Sequence, residues 1–309
     1  YICNKRKGDT YMTMVETFNT SDYNSMAATL GMAADNKPSR DSSTLARLRI
    51  NHSPIMGEQE VNGKKVKLEV VAGGTYKLEI PDGPTYYAES ATIRPYMQRF
   101  MYKRFIMGND SAPNRYVKTI MADNLNIDLK DNDGGFNCGK PAGWIEDFKA
   151  LPQKTQDLIR QIKRVRVMFG TVTLVNPVDL NGNPVNQELN NTPFIWEIEN
   201  RDAFKMAGGI FAKLGKMRRL PPMHTIKSAT QERSLPNGNS FFLPDLELDI
   251  TNSLDLDADA QETLTNFLAW IANYNEYISN AWDENVSKHE DIPFDDVNDI
   301  IDADMEEFA

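Results

Sequence analysis

A chain of 309 residues, 40% of them hydrophobic, can bury one large core or two ordinary ones. Its two cysteines, Cys3 and Cys138, lie far apart, which excludes a disulfide framework and fits a reducing compartment. No run approaches the ~18 apolar residues that a membrane helix needs and no charged-then-apolar leader is seen, so the expected location is the cytoplasm.

The net charge of −10 is unevenly spread. Residues 241–309 hold nineteen acids and one base, so the 240 residues before them carry a net +8. A basic body joined to an acidic end suggests a nucleic-acid surface and an anionic segment that competes for it.

In chain order, residues 1–44 are polar and patternless apart from Lys5-Arg6-Lys7, and read as a flexible N-terminal arm. A β-rich core is expected over 45–257. Residues 45–51 alternate apolar and basic, and 60–71 contain Asn62-Gly63, the pair favoured by a tight hairpin turn. Residues 75–80 alternate again before the turn Pro81-Asp82-Gly83-Pro84, and 86–93 and 97–107 follow as two further strands. Residues 123–143, rich in Asn, Asp and Gly, read as a loop. Helical spacing marks 152–162, with Leu158, Ile159 and Ile162 on one side. Val- and Thr-rich residues 163–175 form a strand, and 193–199 another. Residues 201–216 form a helix stopped by Pro221-Pro222, and the turn Pro236-Asn237-Gly238-Asn239 joins 223–231 to 240–250 as a hairpin. The last helix spans 258–282, with Asp257 or Asp259 as its cap and Leu264, Phe267, Leu268, Ile271, Tyr274 and Ile278 as its apolar stripe. Short strands separated by turns every ~8–12 residues imply a mixed, mainly β fold with helical insertions.

Residues 94–105 interleave Arg94, Arg99, Lys103 and Arg104 with Tyr96, Phe100, Tyr102 and Phe105. On a strand, Phe100 and Tyr102 share a face with Arg104, while Arg99, Lys103 and Phe105 share the other. Single-strand binding needs both chemistries, because cations track the phosphates and aromatic faces stack the bases. Lys163, Arg164 and Arg166 open the later strand, with Arg164, Arg166 and Met168 opposite Val165, Val167 and Phe169. Lys64, Lys65 and Lys67 near a hairpin tip extend the candidate DNA-binding set. Arg218 and Arg219 complete it at a helix end, where cations also complement the helix dipole.

Enzyme signatures are poor. The stretch from Gly209 to Met217 departs from a phosphate loop in its glycine spacing and in the Met where Ser or Thr would hold magnesium. Asp131-Asn132-Asp133-Gly134-Gly135 reads as a turn, since Leu129 and Lys140 would occupy the first and last positions of a calcium loop. His52, His224 and His289 are scattered, so neither a metal site nor a cofactor is expected.

Residues 283–309 carry eleven carboxylates and one lysine and read as an acidic disordered tail. Two apolar tips interrupt it: Asp291-Ile292-Pro293-Phe294, and Phe308 after Glu306-Glu307. The run from Glu290 to Phe294 resembles the acidic tail tip of bacterial and phage single-stranded DNA-binding proteins. In that family the Phe is usually terminal, whereas fifteen residues follow Phe294 here. The resemblance implies an OB-fold-like barrel and sequence-tolerant protection of single-stranded DNA in replication, recombination or repair. It also implies a tail that recruits partner proteins of those processes, and self-association on DNA fits the same picture. A virion structural or assembly protein is the alternative class, which an extended arm on a β-rich chain also suits.

Overall fold

A computed structural model describes residues 45–61, 64–108, 113–141, 143, 145–185, 189–235 and 238–290. The arm expected over 1–44 and the segment 291–309, which contains both apolar tips, lie outside the described residues.

The strands are β1 (Ala46–Ile50), β2 (Ile55–Val61), β3 (Lys64–Val71), β4 (Tyr76–Glu79), β5 (Thr85–Ala88), β6 (Ser90–Ile106), β7 (Arg115–Lys118), β8 (Ile162–Val175), β9 (Thr192–Ile198), β10 (Ile226–Ser234) and β11 (Ser240–Leu248). The helices are α1 (Gln153–Gln161), α2 (Arg201–Lys216) and α3 (Ala258–Glu290). The described residues form a mainly β fold with a large mixed sheet. Its strand order is β11-β10-β6-β8-β9-β1-β4-β5, with β7 paired to the far part of β6, and β2–β3 forms a separate hairpin. Neighbours are antiparallel except β1 and β9, which run parallel.

The spine is β6, one strand of 17 residues rather than the two expected. Pro95 lacks the N–H that a ladder uses. Its ladder with β8 shifts register between Pro95 and Met97, so an irregularity absorbs the proline and the strand continues.

Alternation sends the two faces of β8 into different cores. Met168, Val172 and Leu174 join Leu48, Tyr76, Leu78, Phe194 and Trp196 on the inner face. Helix α2 seals that face with Ala203, Ala207, Ile210 and Leu214, one stripe of a 3.6-residue period. Its start is fixed by Asn200, whose side-chain oxygen accepts hydrogen bonds from the N–H groups of Asp202 at 2.8 Å and Ala203 at 3.2 Å. Asn200→Ala should therefore cost about 1 kcal/mol in a urea unfolding experiment.

The outer face is covered by α3. Val165, Val167 and Phe169 of β8 meet Ala260, Phe267 and Ile271 there. Asp257 caps α3, accepting from the N–H of Ala260 at 2.8 Å. The helix runs eight residues past the expected end. The Trp282 indole N–H donates to the Gly135 carbonyl at 3.0 Å, the Asn285 amide donates to the Asn132 carbonyl at 2.9 Å, and Lys130 lies over the Trp282 ring at 3.9 Å and 3.4 Å from Asp283. The first acidic residues after 282 are therefore helical. No helix among the described residues is long and apolar enough to cross a membrane.

The OB-fold-like barrel expected from the resemblance is not found as such, because the strand path runs open from β11 to β5. The sheet nevertheless coils until its ends touch through side chains. The Tyr76 hydroxyl shares a hydrogen bond with Ser228 and donates to the Ala229 carbonyl at 3.0 Å, and the Phe242 N–H donates to His52 Nδ1 at 3.2 Å. No ladder joins those edges among the described residues, so the sheet stays open and these contacts only bring its two sides together.

Candidate nucleic-acid interface

The far end of β6, with the start of β8 and all of β7, is where cations and aromatic rings collect. Antiparallel register pairs Phe100 with Arg166, Tyr102 with Arg164 and Lys103 with Lys163 across β6 and β8, and Phe105 with Tyr116 across β6 and β7. Residues directly opposite share a face. Phe100, Tyr102, Arg164 and Arg166 thus lie on the inner face, and Lys103, Phe105, Tyr116 and Lys163 on the outer face.

On the outer face Phe105 and Tyr116 form a pair of rings with centroids 5.0 Å apart. They remain 42% and 51% exposed, which leaves ring area open to a stacking ligand, and Met107 beside them is 79% exposed. The Lys103 ammonium lies 4.7 Å from the centre of the Tyr116 ring. Lys103 is held between Glu197 at 2.9 Å and Glu199 at 2.6 Å, and Lys118 reaches Glu197 at 3.2 Å. Lys163 is exposed and has no carboxylate partner among the described residues.

Burial alone would raise the Glu197 carboxyl, but Lys118 and Lys103 outweigh it and hold the group below the ordinary glutamate range. A folded-state value below the unfolded one contributes stability above the unfolded value, and that contribution is lost as pH falls through the folded value. Below about pH 4.5 the wild type should accordingly lose melting temperature more steeply than Glu197→Gln, with the two slopes converging near neutrality. Equal slopes throughout would show that the lysines do not stabilise the Glu197 anion.

No family model, curated protein or solved structure matches this chain.

Several residues expected to contact DNA are covered or engaged by their surroundings. Tyr96 is only 5% exposed and packs edge-on against Phe267 at 5.4 Å, so its face is closed to a base. Arg94 donates to the Pro222 and Asp255 carbonyls, both at 2.6 Å, and is committed to tying loops to the sheet. Arg166 is 8% exposed. Its guanidinium lies 4.4 Å from the Phe204 ring and 4.9 Å from the Phe100 ring, and it donates to the Phe204 carbonyl and to Gln98 Oε1. A Cβ on Gly208 would come within 2.5 Å of it, so the glycine in α2 makes room for a buried cation. Phe100 is half-buried in that same cluster. Tyr102 is 3% exposed beneath the loop after β7, where its hydroxyl donates to the Leu125 carbonyl at 3.2 Å.

The remaining residues divide by place. Arg99 pairs with Asp123 at 3.0 Å. Lys64, Lys65 and Lys67 lie on β3, whose only strand partner among the described residues is β2, and Lys65 is 3.4 Å from Glu58. Arg218 and Arg219 follow the end of α2, a 16-residue helix of about 24 Å that starts beside Arg166. Arg219 donates to the Ile250 carbonyl at 2.6 Å. The structure therefore brings together Tyr102, Lys103, Arg104, Lys163 and Arg164, and does not bring the β3 lysines or Arg218 and Arg219 into that cluster.

Two residues of the cluster escaped the sequence reading. Tyr116 stands on a strand of four residues, where buried Val117 beside it was the available signal. Lys140 comes from an irregular loop and has no sequence signal. Burial pushes the Cys138 thiol up to about 12, so it offers no nucleophile at neutral pH. Among the described residues no group of three or more His, Cys, Asp or Glu is placed to hold a metal ion.

Proposed function

We propose that this protein binds single-stranded DNA with little sequence preference at the far end of its central sheet, and that its acidic C-terminal residues recruit partner proteins. The exposed Phe105–Tyr116 pair beside Lys103 and Lys163 is the observation that carries this reading. Bases stack on the two rings at ~1–3 kcal/mol each, and every base has a face to offer, so the mode tolerates sequence. Lys163, exposed and without a carboxylate partner among the described residues, neutralises a phosphate and releases counterions, while Lys103 stays paired with Glu197 and Glu199. The mode is that of an OB-type sheet surface, here without a closed barrel. Protection of exposed strands in replication, recombination or repair, in the cytoplasm of a bacterium or a phage-infected cell, is the role this chemistry suits.

The C-terminal part of α3 packs close to this surface. Asn285 of α3 is bonded to Asn132, whose side chain in turn donates to the Tyr116 carbonyl at 3.3 Å. Deleting residues 291–309 is expected to tighten binding to oligo-dT by about tenfold at low salt and to abolish partner recruitment. Unchanged or weaker binding after deletion would count against competition.

The test of the reading is a fluorescence titration of the intact chain with oligo-dT at two salt concentrations, with duplex DNA as control. Selective, salt-sensitive quenching by the single strand supports it. Absence of binding at low salt overturns it.

A further inference from the structure

The inner face of the same sheet end carries a second cluster of different character. Arg164 stands opposite Tyr102 in register, and Arg104 lies two residues further along the same face of β6. Lys140 arrives from the loop before α1, its ammonium 5.7 Å from the centre of the Tyr102 ring. The backbone at Gly139 passes beside this group, since a Cβ there would sit 3.5 Å from Arg104 Nη1. Three cations from three chain segments therefore surround one buried ring.

None of the three has a carboxylate partner among the described residues, whereas Arg99, Lys103, Arg115 and Lys118 nearby are all paired. The Nε of Arg104 is buried with no hydrogen-bond acceptor. A buried donor left unmade is costly, and charged ones more so. Lys140 spends two donors on the Pro141 carbonyl at 2.9 Å and the Gly143 carbonyl at 3.1 Å, and an ammonium has three. Burial and then repulsion from Arg164 hold the Lys140 amine below the usual lysine range, against the weaker pull of Asp128. An anion seated among these groups relieves the repulsion and accepts the free donors. Two guanidinium forks and one ammonium match the oxygens of a phosphate.

We propose that Arg104, Lys140 and Arg164 form a phosphate-binding site whose ligand is one phosphodiester of the strand stacked on Phe105 and Tyr116. The identity of the ligand rests on the function proposed above, and the site itself does not. The strand then crosses the sheet end, with bases on the outer face and this one phosphate on the inner one.

Arg104 is partly buried and its loss risks the fold, so the test uses Lys140→Gln and Arg164→Gln. Two readouts are taken: line broadening of inorganic phosphate in ³¹P spectra, and the slope of log affinity for oligo-dT against log salt. Each variant is expected to weaken phosphate binding several-fold and to flatten the slope by about 0.7, the value for one phosphate contact on a single strand. Phe105→Ala serves as control, lowering affinity without changing the slope. Phosphate binding lost in the variants of a protein that ignores oligo-dT would sustain the site and sink the nucleic-acid reading. Oligo-dT binding with slopes and phosphate broadening unchanged in both variants would overturn the site and leave that reading standing.

Discussion

Replacing Phe105 and Tyr116 together by alanine is expected to weaken binding to oligo-dT roughly a hundred-fold, with unfolding free energy changed by no more than about 1 kcal/mol. The two rings touch each other, Tyr116 also meets Lys103, and neither belongs to a buried core cluster, so their removal opens no core cavity. Base stacking on an aromatic side chain is worth ~1–3 kcal/mol by alanine substitution. Because the rings are neighbours, the double loss need not equal the sum of the single ones. Tyr277→Ala is the matched control, since Tyr277 is 64% exposed on α3 and should leave affinity within about twofold. A double variant that binds as the wild type does would remove the stacking platform from the account.

Phe267→Ala should destabilise the fold by about 3–5 kcal/mol, the largest loss anticipated for any single substitution considered. Phe267 has no exposed surface and packs against Tyr96 at 5.4 Å and Phe169 at 5.7 Å. Its removal opens a cavity between α3 and the outer face of the sheet, and neighbouring rings on fixed strands cannot collapse into it. Urea unfolding measures the difference. A loss under about 1 kcal/mol would mean that α3 is not seated on the sheet through this residue.

Local periodicity made much of the fold legible. The alternation in residues 163–175 marked β8 and correctly sorted Arg164, Arg166 and Met168 from Val165, Val167 and Phe169. Turn residues marked the β2–β3 and β10–β11 hairpins, and the stripe from Leu264 to Ile278 marked the buried side of α3 at Phe267, Ile271 and Ile278, although Leu268, placed in the same stripe, is 45% exposed. Other features depend on distant parts of the chain. Pro95 reads as a break, yet the ladder with β8 absorbs it. Alternation places Arg166 and Tyr102 on one face without saying that α2 and the loop after β7 cover them. The same blindness hid the candidate site. An aromatic-and-cation stretch such as 94–105 looks uniform in sequence, while the structure buries Tyr96 and Tyr102 and leaves Phe105 open. The partner of Phe105, Tyr116, comes from β7, and the third inner-face cation, Lys140, from a loop more than twenty residues later.

The central claim is that a single strand lies on the far end of β6, and ultraviolet cross-linking of oligo-dT to the intact chain tests it most directly. Bases stacked on aromatic rings are in contact with them and form zero-length adducts that peptide mapping locates. The account predicts adducts at Phe105 or Tyr116, suppressed by high salt. Adducts confined to the β2–β3 hairpin or to α3, or no adduct at low salt, would contradict it.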